Sequence, residues 1–205
     1  MKIIFDVGAC DGTDGMGLCK TDDCILYSFE AEPKWIKAIK ANFNNNPNFN
    51  LIPKAVSDKN GTAEFNFCAA GGASSLCTFK DEQALNVCWS GRSDVHYSRK
   101  SIIVETIRLD TFIEQNNIKQ IDYLHIDTQG HDFCVLQSLG KYIDIVMEGD
   151  CEVARSKESA IYTNQTAFLD NVIPWLEQNN FTIEHIAPND YPNHNELVVK
   201  FKRKS

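Results

Sequence analysis

Ile3-Ile4-Phe5-Asp6-Val7-Gly8-Ala9-Cys10-Asp11-Gly12 reads as a short buried strand running into a glycine-punctuated turn. A second apolar run, 25–29, closes on Glu30, 22 residues after Gly8. An acidic side chain at that spacing reaches the ribose hydroxyls of a ligand whose polar end rests on the first turn. Both strand ends therefore point at one nucleoside. The turn is spaced GxxxG and lacks the middle glycine of the dinucleotide fingerprint GxGxxG, which disfavours an NAD-dependent oxidoreductase.

Strand and helix patterns alternate along the rest of the chain. A short helix is expected after the first turn, to about Lys20. Pro33 suits the first turn of a second helix, and Ile36, Ile39 and Phe43 share its face at three-and-four spacing. Residues 51–57 read as a third strand. Ala63, Phe65 and Phe67 alternate with polar residues in a half-exposed strand that suggests an antiparallel appendage. Residues 102–108 and 121–127 return to strand, with a helix between them that Asp110 can cap. Phe133, Leu136 and Leu139 mark a helix ended by Gly140, and 143–147 reads as a strand closing on Glu148. Phe168, Val172 and Leu176 share a helical face interrupted by Pro174, and strands 181–186 and 197–202 finish the chain. The expected fold is α/β, one domain over residues 1–205, with a doubly wound, mostly parallel sheet binding its ligand at the strands' carboxyl ends.

Composition narrows the partners. The net charge of −8, from 20 basic and 28 acidic residues, leaves no basic footprint for nucleic acid. The one basic cluster, Lys200, Lys202, Arg203 and Lys204, reads as a solvated strand edge. No stretch approaches the ~20 apolar residues that span a bilayer, and Met1 and Lys2 lead into a strand pattern rather than a signal peptide. A cytoplasmic protein with no membrane partner is the expectation. The eight cysteines form no CxxC pair and match no zinc module, so free, mostly buried thiols are expected.

In four ordered places the chain resembles the FkbM-type class I S-adenosylmethionine methyltransferases. These are FDVGACDG at 5–12, FEAEP at 29–33, AVSDKNG at 55–61, and RLDT followed by IDYLHIDTQGHD within 108–132. The resemblance implies a Rossmann-like, seven-stranded sheet with its last strand antiparallel, and S-adenosylmethionine as cofactor. It places Asp6, Gly8, Ala9 and Gly12 on the methionine part of the donor, Glu30 on the ribose, and Val56 with Ser57 beside the adenine. Asp127 would face the methionine amino group or the acceptor. His125 stands where the family usually has Lys, and Asp132 where it usually has Glu, one methylene longer.

Methyl transfer to an alcohol also needs a base, and Asp127, His131 and Glu148 are the candidates for catalysis. Asp127, Asp132 and Glu148 are the acids that would gather a divalent cation, an arrangement not favoured here. The resemblance implies a small hydroxylated acceptor, a sugar or other metabolite. The loop 69–100, with Ser74, Ser75, Trp89, Arg92, His96 and Tyr97, is the expected acceptor-binding segment or lid. The rival to an enzyme is a catalytically silent module that keeps the nucleoside pocket.

Overall fold

The computed structural model describes residues 1–20, 23–43, 45–68, 72–80, 97–189 and 196–204. Its centre is a seven-stranded sheet in the order β3-β2-β1-β7-β8-β10-β9. β1 (Lys2–Val7) pairs in parallel with β2 (Cys24–Phe29) and β7 (Ile121–Ile126), β2 with β3 (Phe49–Ile52), and β7 with β8 (Val146–Ala154). β10 (Glu196–Arg203) runs antiparallel to both β8 and β9 (Phe181–Pro188). The expected α/β sheet with an antiparallel last strand is therefore the architecture found. No helix among the described residues is long and apolar enough to cross a membrane.

The helices follow the apolar periodicity. α1 (Thr13–Leu18) and α2 (Pro33–Phe43) flank β1 and β2, followed by α3 (Leu109–Gln115), α4 (Asp132–Ser138), a 3-10 turn (Gly140–Ile145) and α5 (Leu169–Gln178). On one face of the sheet Phe5, Tyr27, Phe29 and Phe112 meet at ring-centroid distances of 4.9–5.7 Å, mostly edge to face. They belong to the main core, which continues through Leu124, Ile126, Val172 and Phe201. Pro174 does not interrupt α5, because burial of Val172 and Leu176 on its inner face carries the helix through the lost N–H.

Several expectations change. Residues 51–57 divide at Pro53, which has no N–H to give a ladder. β3 stays in the main sheet, while β4 (Ala55–Val56) joins a separate sheet with β5 (Gly61–Cys68) and β6 (Tyr97–Ile107), in the order β4-β6-β5. The expected appendage is thus a mixed three-stranded sheet, and residues 97–100 belong to its strand rather than to the loop. The strand expected at 143–147 begins at Val146 and continues to Ala154, because Glu148, Asp150 and Glu152 alternate with inward-facing residues rather than ending it.

β10 is an interior strand, so the basic cluster does not form a sheet edge; Lys202 Nζ pairs with Glu148 across the ladder. Cys19 and Cys24 are joined in a disulfide, against the expectation of free thiols. The chain turns back from α1 into β2 there and brings their Cα atoms to 5.7 Å. Cys77 and Cys151 are free and buried, Cys10 and Cys134 free and half-buried, Cys68 is buried, and Cys88 lies outside the described residues.

Candidate active site

The turn after β1 is tied to the end of β2. Gly8 and Ala9 both donate their N–H groups to the carbonyl of Phe29, at 3.0 and 3.1 Å, and Gly12 N–H closes the turn on Ala9 O at 2.7 Å. Cys10 N–H donates to Glu30 Oε2 at 2.8 Å and Glu32 N–H to Glu30 Oε1 at 2.6 Å. Each carboxylate oxygen of Glu30 is thereby fixed by a backbone donor and keeps accepting capacity for a ligand hydroxyl. Burial outweighs these donors and pushes the Glu30 pKa up to about 7.

The loop after β7 supplies the opposite wall. Asp127 N–H donates to Val7 O at 2.9 Å, and Gln129 Nε2 donates to Asp127 Oδ1 at 2.6 Å. Burial raises the Asp127 carboxyl, against the counter-pull of His125. His131 stands at the N-cap position of α4, and its Nε2 lies 3.2 Å from Ser57 Oγ. Burial lowers the His131 pKa and favours the neutral ring that a proton acceptor needs.

Residues 72–80 close over this wall. Ser75 Oγ reaches the carbonyls of Thr128 and Gln129 at 3.1 and 2.8 Å. Tyr162, buried against Phe79, donates to the carbonyl of Ala73 or to Gln129 Oε1, at 3.1 and 3.2 Å.

Together these elements line a cleft at the carboxyl ends of β1, β2 and β7. Gly8, Glu30, Val56, Asp127 and His131 line it, as does Ser74. Asp6, Ala9, Gly12 and Ser57 stand behind this lining. Asp6 is buried against α1, where a Cβ on Gly15 would lie 2.3 Å from its Oδ2, and it accepts from Ser28 Oγ at 3.1 Å. Gly12 admits the Phe43 ring, which a Cβ there would meet at 2.8 Å. Ser57 meets the lining through its contact with His131 Nε2. Glu148 is not brought to the cleft: it lies near the amino-terminal end of β8, opposite Tyr123.

Asp132 is a buried clamp between the loop and β8. Its Oδ2 accepts from Thr128 Oγ1 at 3.1 Å and its Oδ1 from Glu152 N–H at 3.2 Å, and burial pushes its pKa to about 8. Among the described residues no group of three or more His, Cys, Asp or Glu side chains is arranged to hold a metal. Trp89, Arg92 and His96 lie outside the described residues, as does the side chain of Tyr97.

Sequence reasoning missed Glu32, Trp35, Phe65 and Leu76, which all line the cleft. Only the position of Glu32 and Trp35 at the start of α2, immediately after Glu30, marks them in the sequence.

His125 recovers the charge its usual counterpart would carry. Its Nδ1 lies 2.5 Å from Asp150 Oδ1, while Tyr123 donates to Asp150 Oδ2 at 2.6 Å. The hydrogen bond and charge of Asp150 overcome the cost of burial and raise His125 to about 9. The ring is therefore a cation at neutral pH, as a lysine would be.

A model of the FkbM methyltransferase domain matches residues 6–183, from Asp6 through the start of β9. The chain belongs to the FkbM methyltransferase family. Comparison with curated proteins gave no match. Among solved structures, an rRNA methylase from Streptococcus thermophilus superposes with a TM-score of 0.52 at 12% identity, covering 100% of this chain and 87% of that one. TrmK from M. capricolum, solved with S-adenosyl-homocysteine, gives 0.53 at 12% identity, covering 100% and 63%. Fibrillarin from Aeropyrum pernix, solved with natively bound S-adenosyl-L-methionine, gives 0.53 at 10%, covering 98% and 65%. The chain thus spans under two thirds of the last two, and at these identities the likeness is one of fold.

Proposed function

We propose that this FkbM-family chain transfers a methyl group from S-adenosylmethionine to a hydroxyl oxygen of a small metabolite, a sugar being the favoured class. The observation that carries this is the placement of Glu30 and Asp127 on facing walls of one cleft, bridged by the Gly8 turn. Glu30 suits two vicinal ribose hydroxyls, and Asp127 suits an ammonium group. The net charge of −8 supports a small acceptor over the RNA named for some structural neighbours.

When bound, S-adenosylmethionine supplies a methyl group on a sulfonium, already a good leaving group. The chain's work is then to align the acceptor oxygen, exclude water and take up one proton. Residues 72–80, tied to the loop after β7 by Ser75 and Tyr162, are the segment placed to exclude water. His131, kept neutral by burial and held beside Ser57, is the base; Asp127 is the second candidate, acting on the donor's ammonium or on the acceptor hydroxyl. Thermal denaturation with S-adenosylhomocysteine and, separately, with NAD tests the proposal. A ligand at 100 times its Kd adds about 2.7 kcal/mol, or ~5–10 °C in a chain of this size. A shift with the first compound alone is expected, and its absence would overturn the proposal.

A further inference from the structure

Gln129 holds a backbone conformation that its residue type disfavours. Its φ is +57° and that of Gly130 is +88°, two left-handed residues in succession just beyond β7. The left-handed region is unfavourable for any residue with a Cβ, and Gln129 is buried as well. Strain of this kind persists where the surroundings hold it, and it clusters beside binding and catalytic groups. The group beside it here is Asp127, two residues earlier on the cleft wall.

The Gln129 amide is fixed from three sides. Its Nε2 donates to Asp127 Oδ1 at 2.6 Å and lies 3.4 Å from Glu152 Oε2, while its Oε1 lies 3.2 Å from the Tyr162 hydroxyl. The carboxyl oxygens call for the amide nitrogen and the phenol O–H for the amide oxygen, so one orientation of the amide satisfies all three. Tyr162 is placed in turn by segment 72–80, its ring against Phe79 and its hydroxyl 3.1 Å from Ala73 O. Gly130 admits that ring, since a Cβ there would lie 2.8 Å from Tyr162 Cδ2. A continuous run of contacts thus leads from segment 72–80 through Tyr162 and Gln129 to the Asp127 carboxyl.

We propose that Gln129 is a positioning residue for Asp127. Its amide engages Oδ1 and leaves Oδ2 to meet the donor's ammonium group, and Tyr162 holds the amide in that sense. This rests on the reading of Asp127 as the carboxylate that binds the methionine end of S-adenosylmethionine. Gln129 and Tyr162 stand behind the lining of the cleft, so both act through Asp127 rather than on the ligand. The ribose end is fixed separately, by Glu30 on its own backbone donors. The two residues therefore control the grip on the amino-acid half of the donor and leave the nucleoside half alone.

Calorimetric titration of the whole chain with S-adenosylhomocysteine and with methylthioadenosine, which keeps the nucleoside and sulfur but has no ammonium group, tests this without methyl transfer. Gln129→Met keeps an unbranched side chain of similar length and removes the amide. It should weaken S-adenosylhomocysteine about tenfold and leave methylthioadenosine within about twofold. Tyr162→Phe removes a single oxygen and keeps the test open if Gln129→Met does not fold; it should shift the ratio the same way, by about threefold. A merely structural role would weaken both ligands together. That result, or an unchanged ratio in folded variants, would overturn the proposal. Asp127→Asn separates the two readings. If it lowers the ratio while Gln129→Met and Tyr162→Phe do not, the positioning role alone falls. If it leaves the ratio unchanged, the ammonium reading of Asp127 fails and the positioning role falls with it.

Discussion

Gly8 and Asp127 touch backbone to backbone: a Cβ on Gly8 would stand 1.8 Å from the carbonyl oxygen of Asp127. The φ of Gly8 is +90°, in the left-handed region. The β1 turn and the β7 loop can therefore close the cleft only if position 8 has no side chain. Gly8→Ala is expected to cost about 3 kcal/mol and lower Tm by ~6–12 °C, through left-handed strain and the displaced loop. Gly17→Ala is the contrast, since a Cβ there meets nothing within 4 Å and α1 gains up to about 1 kcal/mol of helix propensity. Melting curves of the two variants should move in opposite directions; similar curves would remove the claimed contact.

The titrating groups of the sheet and loop predict a stability that falls with alkaline pH. His125 is raised in the fold from 6.5 to about 9, so its contribution is intact below pH 6.5 and is lost as pH climbs through about 9. Asp132 is raised from 3.8 to about 8, and Asp6 to about 6. Each keeps in the fold a proton that the unfolded chain releases near pH 4, so its contribution also drains away as pH rises. His131 acts oppositely but only below its unfolded value of 6.5, where its lowered pKa makes acid destabilising. Calorimetric Tm should decline from pH 7 to pH 9, and His125→Gln should flatten that decline. A Tm that rises over this interval would contradict the His125–Asp150 pairing.

Turnover should depend on His131 more than donor binding does. A positioned base contributes about 10²–10⁴ in rate, so His131→Ala is expected to lower kcat by about 10² or more at saturating acceptor. Its effect on S-adenosylhomocysteine affinity should stay within about threefold, since no ribose or ammonium contact is assigned to the ring. Asp127→Asn should weaken both. Near-normal turnover in both variants would leave the base assignment without support.

What was legible in the sequence follows from where burial and chemistry coincide. The strands around Phe5, Leu26 and Leu124 are buried apolar runs, each followed closely by an acid or a glycine, and they mark the sheet's centre and the carboxyl-end cleft together. The chain at Glu148 misleads because Glu148, Asp150 and Glu152 sit on one face of an amphipathic strand, where an acid does not signal an end. Pro53 hides the exchange of sheets between Ile52 and Ala55, since two short apolar runs in succession look like one strand. Glu32 and Trp35 escape notice for another reason. An acid ahead of a helix-opening proline has the same look as one placed for the helix dipole, and only the fold reveals that its outer oxygen is buried.

Glu30 makes donor binding depend on pH. Its pKa in the fold is about 7, raised from 4.5 by burial, and an ionised carboxylate is the better acceptor for two ribose hydroxyls. A ligand that binds the ionised form must expel the proton below pH 7, so its affinity should fall about tenfold for each pH unit below that point. Calorimetry with S-adenosylhomocysteine at pH 5.5, 6.5, 7.5 and 8.5 should show this loss on the acid side, along with release of a proton on binding. Glu30→Gln removes the titrating group and places an amide N–H₂ against one of the two backbone donors, Cys10 N–H or Glu32 N–H. Affinity at pH 8 should then drop about 10–100-fold, and the Glu30 share of the acid-side slope should vanish. If the variant kept the full slope, the linked proton would belong to another acid, with Asp127 next to examine.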